Sequence, residues 1–250
     1  MKIAIQLFLA IILLANAAAA PADAIETVPL ENWEIQTGIV YKDILIHGMP
    51  CWVWIPEGAT TNMPLTVFMH GSRQSIGQKN ESMTSVSLPW LISQGQIPFN
   101  SLNTIIVAPH REKDTYGNER ILGVIESAAE KYGSDKSRIA LTGYSWGGVM
   151  SYDLVAMRPD YFCSVVITSG NIRPETLKAL AQMGSDRLPP ITVLHGRRDA
   201  TYSYDDLVEA LALLEKTVTL IAVEGEHGKA SANAYLMHDV QETLFLKGEA

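Results

Sequence analysis

The chain predicts an α/β fold: one mostly parallel sheet covered by helices on both faces. Three observations carry this. From Gly38 onward, short β-branched or apolar runs alternate with stretches of helical apolar spacing, the pattern of strands joined by helical crossovers. Several runs, such as Leu65-Thr66-Val67-Phe68-Met69, are apolar enough to be strands buried on both sides. Of the 250 residues, 47% are hydrophobic and only 18% charged, which supplies a large core and excludes a disordered chain.

The elements follow in order. Residues 39–46 and 51–55 read as an opening hairpin, broken at His47-Gly48-Met49-Pro50. A buried strand follows at 65–69, then a Ser/Gln/Gly-rich loop, a short helix near 86–93 and a strand over 104–108. From 118 to 132 the apolar positions Ile121, Leu122, Val124, Ile125 and Ala128 have helical spacing, and Gly133 ends the helix as a C-cap. The strand 138–142 leads into Gly143-Tyr144-Ser145-Trp146-Gly147, and a helix carrying Val149, Met150, Leu154 and Met157 leads out. Pro159-Asp160 closes that helix, and the next strand covers 162–168. An amphipathic helix at 174–183, a strand at 191–194, a helix through Leu207, Leu211 and Leu214, and a strand at 218–223 complete the alternation. A last helix is expected over 232–246, after His227.

Residues 1–24 read as a signal peptide outside the fold. Lys2 provides a positive start, Ile3 to Leu14 is almost wholly apolar, and Ala15-Asn16-Ala17 or Ala22-Asp23-Ala24 offers a small-residue cleavage site. The apolar run falls short of the roughly 20 residues that span a bilayer unless the alanines are included. The expectation is a secreted or periplasmic protein in which 25–250 form a single domain. A formal net charge of −8 without any basic cluster argues against nucleic acid or an anionic membrane surface as partner. Oligomeric state is not legible.

The chemistry centres on Ser145. A serine at a tight strand-to-helix turn is lifted clear of the sheet, and glycine two residues to either side suits the crowded backbone. The helix that starts at once brings N–H groups and its positive dipole end beside the serine oxygen. That suits an attacking alkoxide and a developing oxyanion. A hydroxyl at its free pKa is a poor nucleophile, so a base and an orienting acid are required. Asp199 and His227 each lie in a loop just past a strand's carboxyl end, and loops at that edge of an open α/β sheet converge on one crevice.

Four segments together carry a family resemblance: residues 64–72 (PLTVFMHGS), 139–148 (IALTGYSWGG), 193–199 (VLHGRRD) and Gly225-Glu226-His227. The chain from about Thr37 onward resembles the α/β-hydrolase superfamily, whose triad runs nucleophile, acid, histidine. The nearest likeness is to small lidless bacterial esterases, of the carboxylesterase/phospholipase, feruloyl-esterase or polyhydroxybutyrate-depolymerase kind, and to hydrolase domains related to prolyl oligopeptidase. The resemblance implies an eight-stranded, mostly parallel twisted sheet with no large cap domain. It also implies a serine esterase in which Ser145 is nucleophile, Asp199 acid and His227 base, with no metal or organic cofactor. The backbone N–H of Trp146 would hold the oxyanion, joined by that of Ser72 or Arg73. The family's strand order separates Cys51 and Cys163 by four strand spacings, about 19 Å at ~4.8 Å each, so two buried free thiols are expected.

Around these, Trp90, Trp146, Tyr202 and Tyr204 are candidates for an aromatic substrate wall, although core packing is the commoner role of such residues. Arg73 and Arg111 are candidates for a polar or carboxylate group, and His110 for a place in the cleft. His70 and His195 each precede a glycine at a strand end and read as loop-shaping. Competing readings are a serine peptidase of the prolyl-oligopeptidase type and a non-catalytic binding protein on the same fold. The ester substrate is a small molecule or attached to a polymer; its acyl and alcohol parts are not written in the sequence.

Overall fold

The computed structural model describes residues 38–72, 87–98, 102–110, 117–214 and 218–245. The expected signal peptide, Arg73 and Arg111 lie outside the described residues. Eight strands form one sheet: β1 (Gly38–Ile46), β2 (Met49–Pro56), β3 (Leu65–Met69), β4 (Ile105–Pro109), β5 (Ile139–Tyr144), β6 (Ser164–Thr168), β7 (Ile191–Gly196) and β8 (Val218–Val223), in the order β1-β2-β4-β3-β5-β6-β7-β8. The pairs β1·β2 and β2·β4 are antiparallel and every other pair is parallel.

Local chemistry explains the opening hairpin. His47 and Gly48 join β1 to β2 with φ of 50° and 69°, positive at both central residues, as a two-residue turn matched to strand twist requires. The strand side chains then alternate between two cores. Leu65, Val67 and Met69 of β3, with Ile139 and Leu141 of β5, face one side, against α2 (Asn118–Tyr132) and α3 (Trp146–Met157). Phe68, Ile106 and Val166 face the other, against α1 (Leu88–Ser93) and the C-terminal helices. Both faces are therefore covered, which is why β3 to β6 are buried along their whole length. The remaining helices are α4 (Pro174–Met183), α5 (Tyr204–Leu211), α6 (His227–Ala234) and α7 (His238–Phe245). No cap domain occurs among the described residues.

One element differs from its expectation. The last helix, expected as a single unit over 232–246, is two, and the first begins at His227 itself. The break falls at Tyr235, which is fully buried, with its hydroxyl 3.0 Å from that of Thr142 on β5 and 3.5 Å from that of Thr168 on β6. Leu236 and Met237 donate to Asn233 and Ala234, tightening the chain into a turn. Neither glycine nor proline marks this break; the sheet imposes it by drawing one tyrosine inward.

Both cysteines are free, but only Cys51 is buried as expected; Cys163 is partly exposed because it sits at the open start of its strand and not inside it. Cys51 lies in β2 and Cys163 immediately precedes β6, with β4, β3 and β5 between those strands. Burial raises the Cys51 thiol to about 12.

Candidate active site

The site begins with backbone crowding at the end of β5. Ser145 takes φ 55° and ψ −119°, a conformation costly for a residue with a side chain, of order 1–3 kcal/mol. The neighbouring glycines make it attainable. A Cβ on Gly143 would overlap the Gly147 carbonyl, and one on Gly147 would overlap the carbonyl of Met69 at the end of β3. Gly148 packs on Gly170, where an added Cβ would come within 2.9 Å of the Gly170 Cα. The Ser145 N–H donates to the Thr168 carbonyl at 3.0 Å, continuing the β5·β6 ladder through the turn. Ser145 occupies the cap position of α3, yet its side chain makes no capping hydrogen bond, so its hydroxyl is available elsewhere.

It is used at once. Ser145 Oγ lies 2.8 Å from His227 Nε2, and His227 Nδ1 lies 2.7 Å from Asp199 Oδ2. An ionised carboxylate only accepts, so Nδ1–H donates to Asp199, and the Nε2 lone pair accepts the serine O–H. Ser145 is 8% exposed, the His227 side chain 20% and the Asp199 side chain 0%. The chain of bonds is thus screened at the acid and open toward the imidazole.

Each member is held from behind. The second Asp199 oxygen, Oδ1, accepts the N–H groups of Thr201 and Tyr202 at 2.8 and 2.9 Å. Arg197 N–H donates to the Val223 carbonyl and Arg198 N–H to that of Gly225, which zips the acid loop to the loop that delivers His227. Ser169, itself at φ 48°, donates its hydroxyl to the His227 carbonyl at 2.8 Å and its N–H to the Leu194 carbonyl. His195, in β7 and fully buried, lies 2.9 Å from the Tyr202 carbonyl and 3.4 Å from Asp199 Oδ2 through Nε2. A carbonyl only accepts, so Nε2–H is the donor. Burial holds the His195 pKa below its ordinary value, keeping the ring neutral near pH 7.

The other candidates divide. Trp146 opens α3, whose first N–H groups point out of the helix end beside Ser145. Ser72 follows Gly71 after β3, and Gly71 is tight against the Tyr144 ring and the Ser145 Cβ. His70 Nδ1–H donates to the Gly71 carbonyl at 2.9 Å, shaping that turn as a loop histidine would. Tyr202 stands edge-on to His227, with ring centroids 5.6 Å apart. Trp90 instead projects from α1 into the core, 6% exposed, and is no part of a solvent-facing wall. His110 is fully buried as well, its ring 5.5 Å from Trp52 and 5.9 Å from His70, which sets it beneath the turn after β3 and not on a cleft surface. Tyr204 packs near His195, under Arg197.

Three residues at the site were not singled out by sequence. Tyr144 packs its ring 5.4 Å from that of His227, and its place next to Ser145 could have flagged it. Ser169 could have been noticed only as the residue after β6. Arg173, whose guanidinium lies 4.8 Å over the Trp146 ring, carries no local signal.

The prolyl oligopeptidase family model matches residues 110–225. No curated protein matches the chain. Among solved structures, an S-formylglutathione hydrolase from Staphylococcus aureus is 13% identical at a TM-score of 0.64, covering 83% of this chain and 95% of its own. A truncated carbohydrate esterase from gut microbiota is 14% identical at 0.62, covering 84% and 94%. The acylaminoacyl peptidase of Pyrococcus horikoshii is 16% identical at 0.58, covering 87% of this chain but only 43% of its own length. These likenesses establish a common fold.

Proposed function

We propose that this chain, an α/β-hydrolase by its fold, is a serine hydrolase that cleaves carboxylic esters through an acyl-enzyme. The observation that carries the reading is the unbroken relay from Ser145 Oγ to His227 Nε2 at 2.8 Å and from His227 Nδ1 to Asp199 at 2.7 Å. His227 takes the hydroxyl proton as Ser145 Oγ attacks the ester carbonyl. The tetrahedral oxyanion is held by the N–H of Trp146 and a second N–H after β3, that of Ser72 being our assignment. Collapse expels the alcohol, which leaves with the proton from His227. Water then gives its proton to His227 and attacks the acyl-enzyme; the acid is released and Ser145 regains its proton. Asp199 keeps the imidazole in the productive tautomer and stabilises its cationic form. We further infer an exported protein, from the apolar segment that follows Lys2.

The family match over 110–225 favours a second reading, peptide-bond cleavage by the same relay. Turnover of 4-nitrophenyl acetate beside an aminoacyl 4-nitroanilide separates them. The ester is the expected substrate, with kcat/KM at least about 100-fold above the anilide, a difference of ~2.7 kcal/mol in transition-state stabilisation. Preferential cleavage of the anilide would favour the peptidase. Ser145→Ala should lower turnover on the order of 10⁴–10⁶-fold with little change in Tm.

A further inference from the structure

Arg173 is the residue that the proposed chemistry leaves unused. It lies just beyond β6, at the sheet edge that also delivers Ser145, Asp199 and His227. Arg173 Nη1 donates at 2.8 Å to Asp153 Oδ2 on α3, a carboxylate whose side chain is 8% exposed and whose other oxygen accepts the Thr176 hydroxyl. The guanidinium also lies 4.8 Å over the ring of Trp146, the residue directly after Ser145.

Two contacts therefore fix the arginine: a buried carboxylate and an aromatic face. Yet its side chain is still 36% exposed. A guanidinium is a planar fork with several N–H donors, and only Nη1 donates to protein among the described residues. Burial and the Asp199 carboxylate raise the Tyr202 pKa, and the Arg173 charge offsets a small part of that rise; the Tyr202 ring stands edge-on to His227. A cation restrained in this way has already lost its rotamer freedom, so little more is lost when it meets an anion. Satisfying Asp153 explains one contact, yet the side chain keeps 36% of its surface open while its guanidinium lies over the indole of the residue that follows Ser145.

We propose that Arg173 is a specificity-determining residue that binds a carboxylate borne by the substrate, making half-esters of dicarboxylic acids a preferred substrate class. This rests on the ester-hydrolase reading. It predicts a higher kcat/KM for an ester with a terminal carboxylate than for a neutral ester of equal length.

The test compares the 4-nitrophenyl half-ester of adipic acid with 4-nitrophenyl hexanoate, using the full chain. Arg173→Met alone would strand the Asp153 carboxylate and endanger folding, so the paired variant Arg173→Met/Asp153→Asn is used, with Asp153→Asn alone as its counterpart. The ratio of kcat/KM for the anionic over the neutral ester should fall about 10- to 100-fold in the paired variant, mostly through KM. It should rise in Asp153→Asn, where the cation loses its internal partner. Ratios unchanged in both variants would overturn the proposal and leave Arg173 as a counterion for Asp153. Absence of turnover of either ester by the wild type would remove the ester-hydrolase reading, and the charge preference with it.

Discussion

Buried side chains around the Ser145–His227–Asp199 relay decide whether its geometry persists, and His195 is the clearest case. Its ring packs behind the acid, 3.4 Å from the same Asp199 oxygen that faces His227, while donating to the Tyr202 carbonyl. Because burial lowers the His195 pKa in the fold, the unfolded chain binds a proton there that the folded chain refuses. Stability is therefore unaffected at high pH and is lost as pH falls below the ordinary histidine value of 6.5. His195→Gln, whose amide can reach the same carbonyl without titrating, should flatten that acid limb in urea midpoints measured from pH 7 to pH 5. An acid limb as steep as the wild type's would contradict the assignment. Ser169 works similarly on the base, tying the His227 carbonyl to the tip of β6.

At the level of elements, the β5–α3 turn is a close-packed joint. The glycines before and after Ser145 let α3 start against the backbone of β3, and an added methyl at 147 has the Met69 carbonyl, not a yielding side chain, in its way. Gly147→Ala should therefore cost about 3 kcal/mol. Gly117→Ala, at the open start of α2, meets nothing within 4 Å and should change stability by about 1 kcal/mol or less. Equal urea midpoints for the two variants would show that the turn is not a tight joint. The same reasoning explains what local patterns reveal. Buried runs such as Leu65–Met69 and the Gly133 cap, at φ 61°, announce themselves because their causes lie within a few residues. The turn at Tyr235 does not, because its cause is a pair of threonine hydroxyls far away in sequence.

For the whole molecule, the decisive step is convergence. Ser145 and His227 are 82 residues apart, and Asp199 and His227 are 28 apart, yet β5, β7 and β8, parallel strands with only β6 between the first two, end at one edge of the sheet and bring them into one chain of hydrogen bonds. That convergence was legible because every member of the relay follows an apolar strand run, and strand ends of a parallel sheet share an edge. Arg173 was not legible: its place depends on Asp153, 20 residues earlier on another helix, and on the indole of Trp146. Trp90, a wall candidate in a short helix, and His110, a cleft candidate just after β4, are both buried, because neither residue type tells from sequence whether it faces core or cleft. The central claim is that this convergence makes one hydroxyl reactive. Intact-mass analysis after exposure of the folded protein to a fluorophosphonate, followed by peptide mapping, tests it most directly. A single adduct on Ser145, absent from Ser145→Ala, is the expected result; a folded wild type that gains no adduct, or gains it on another residue, would contradict it.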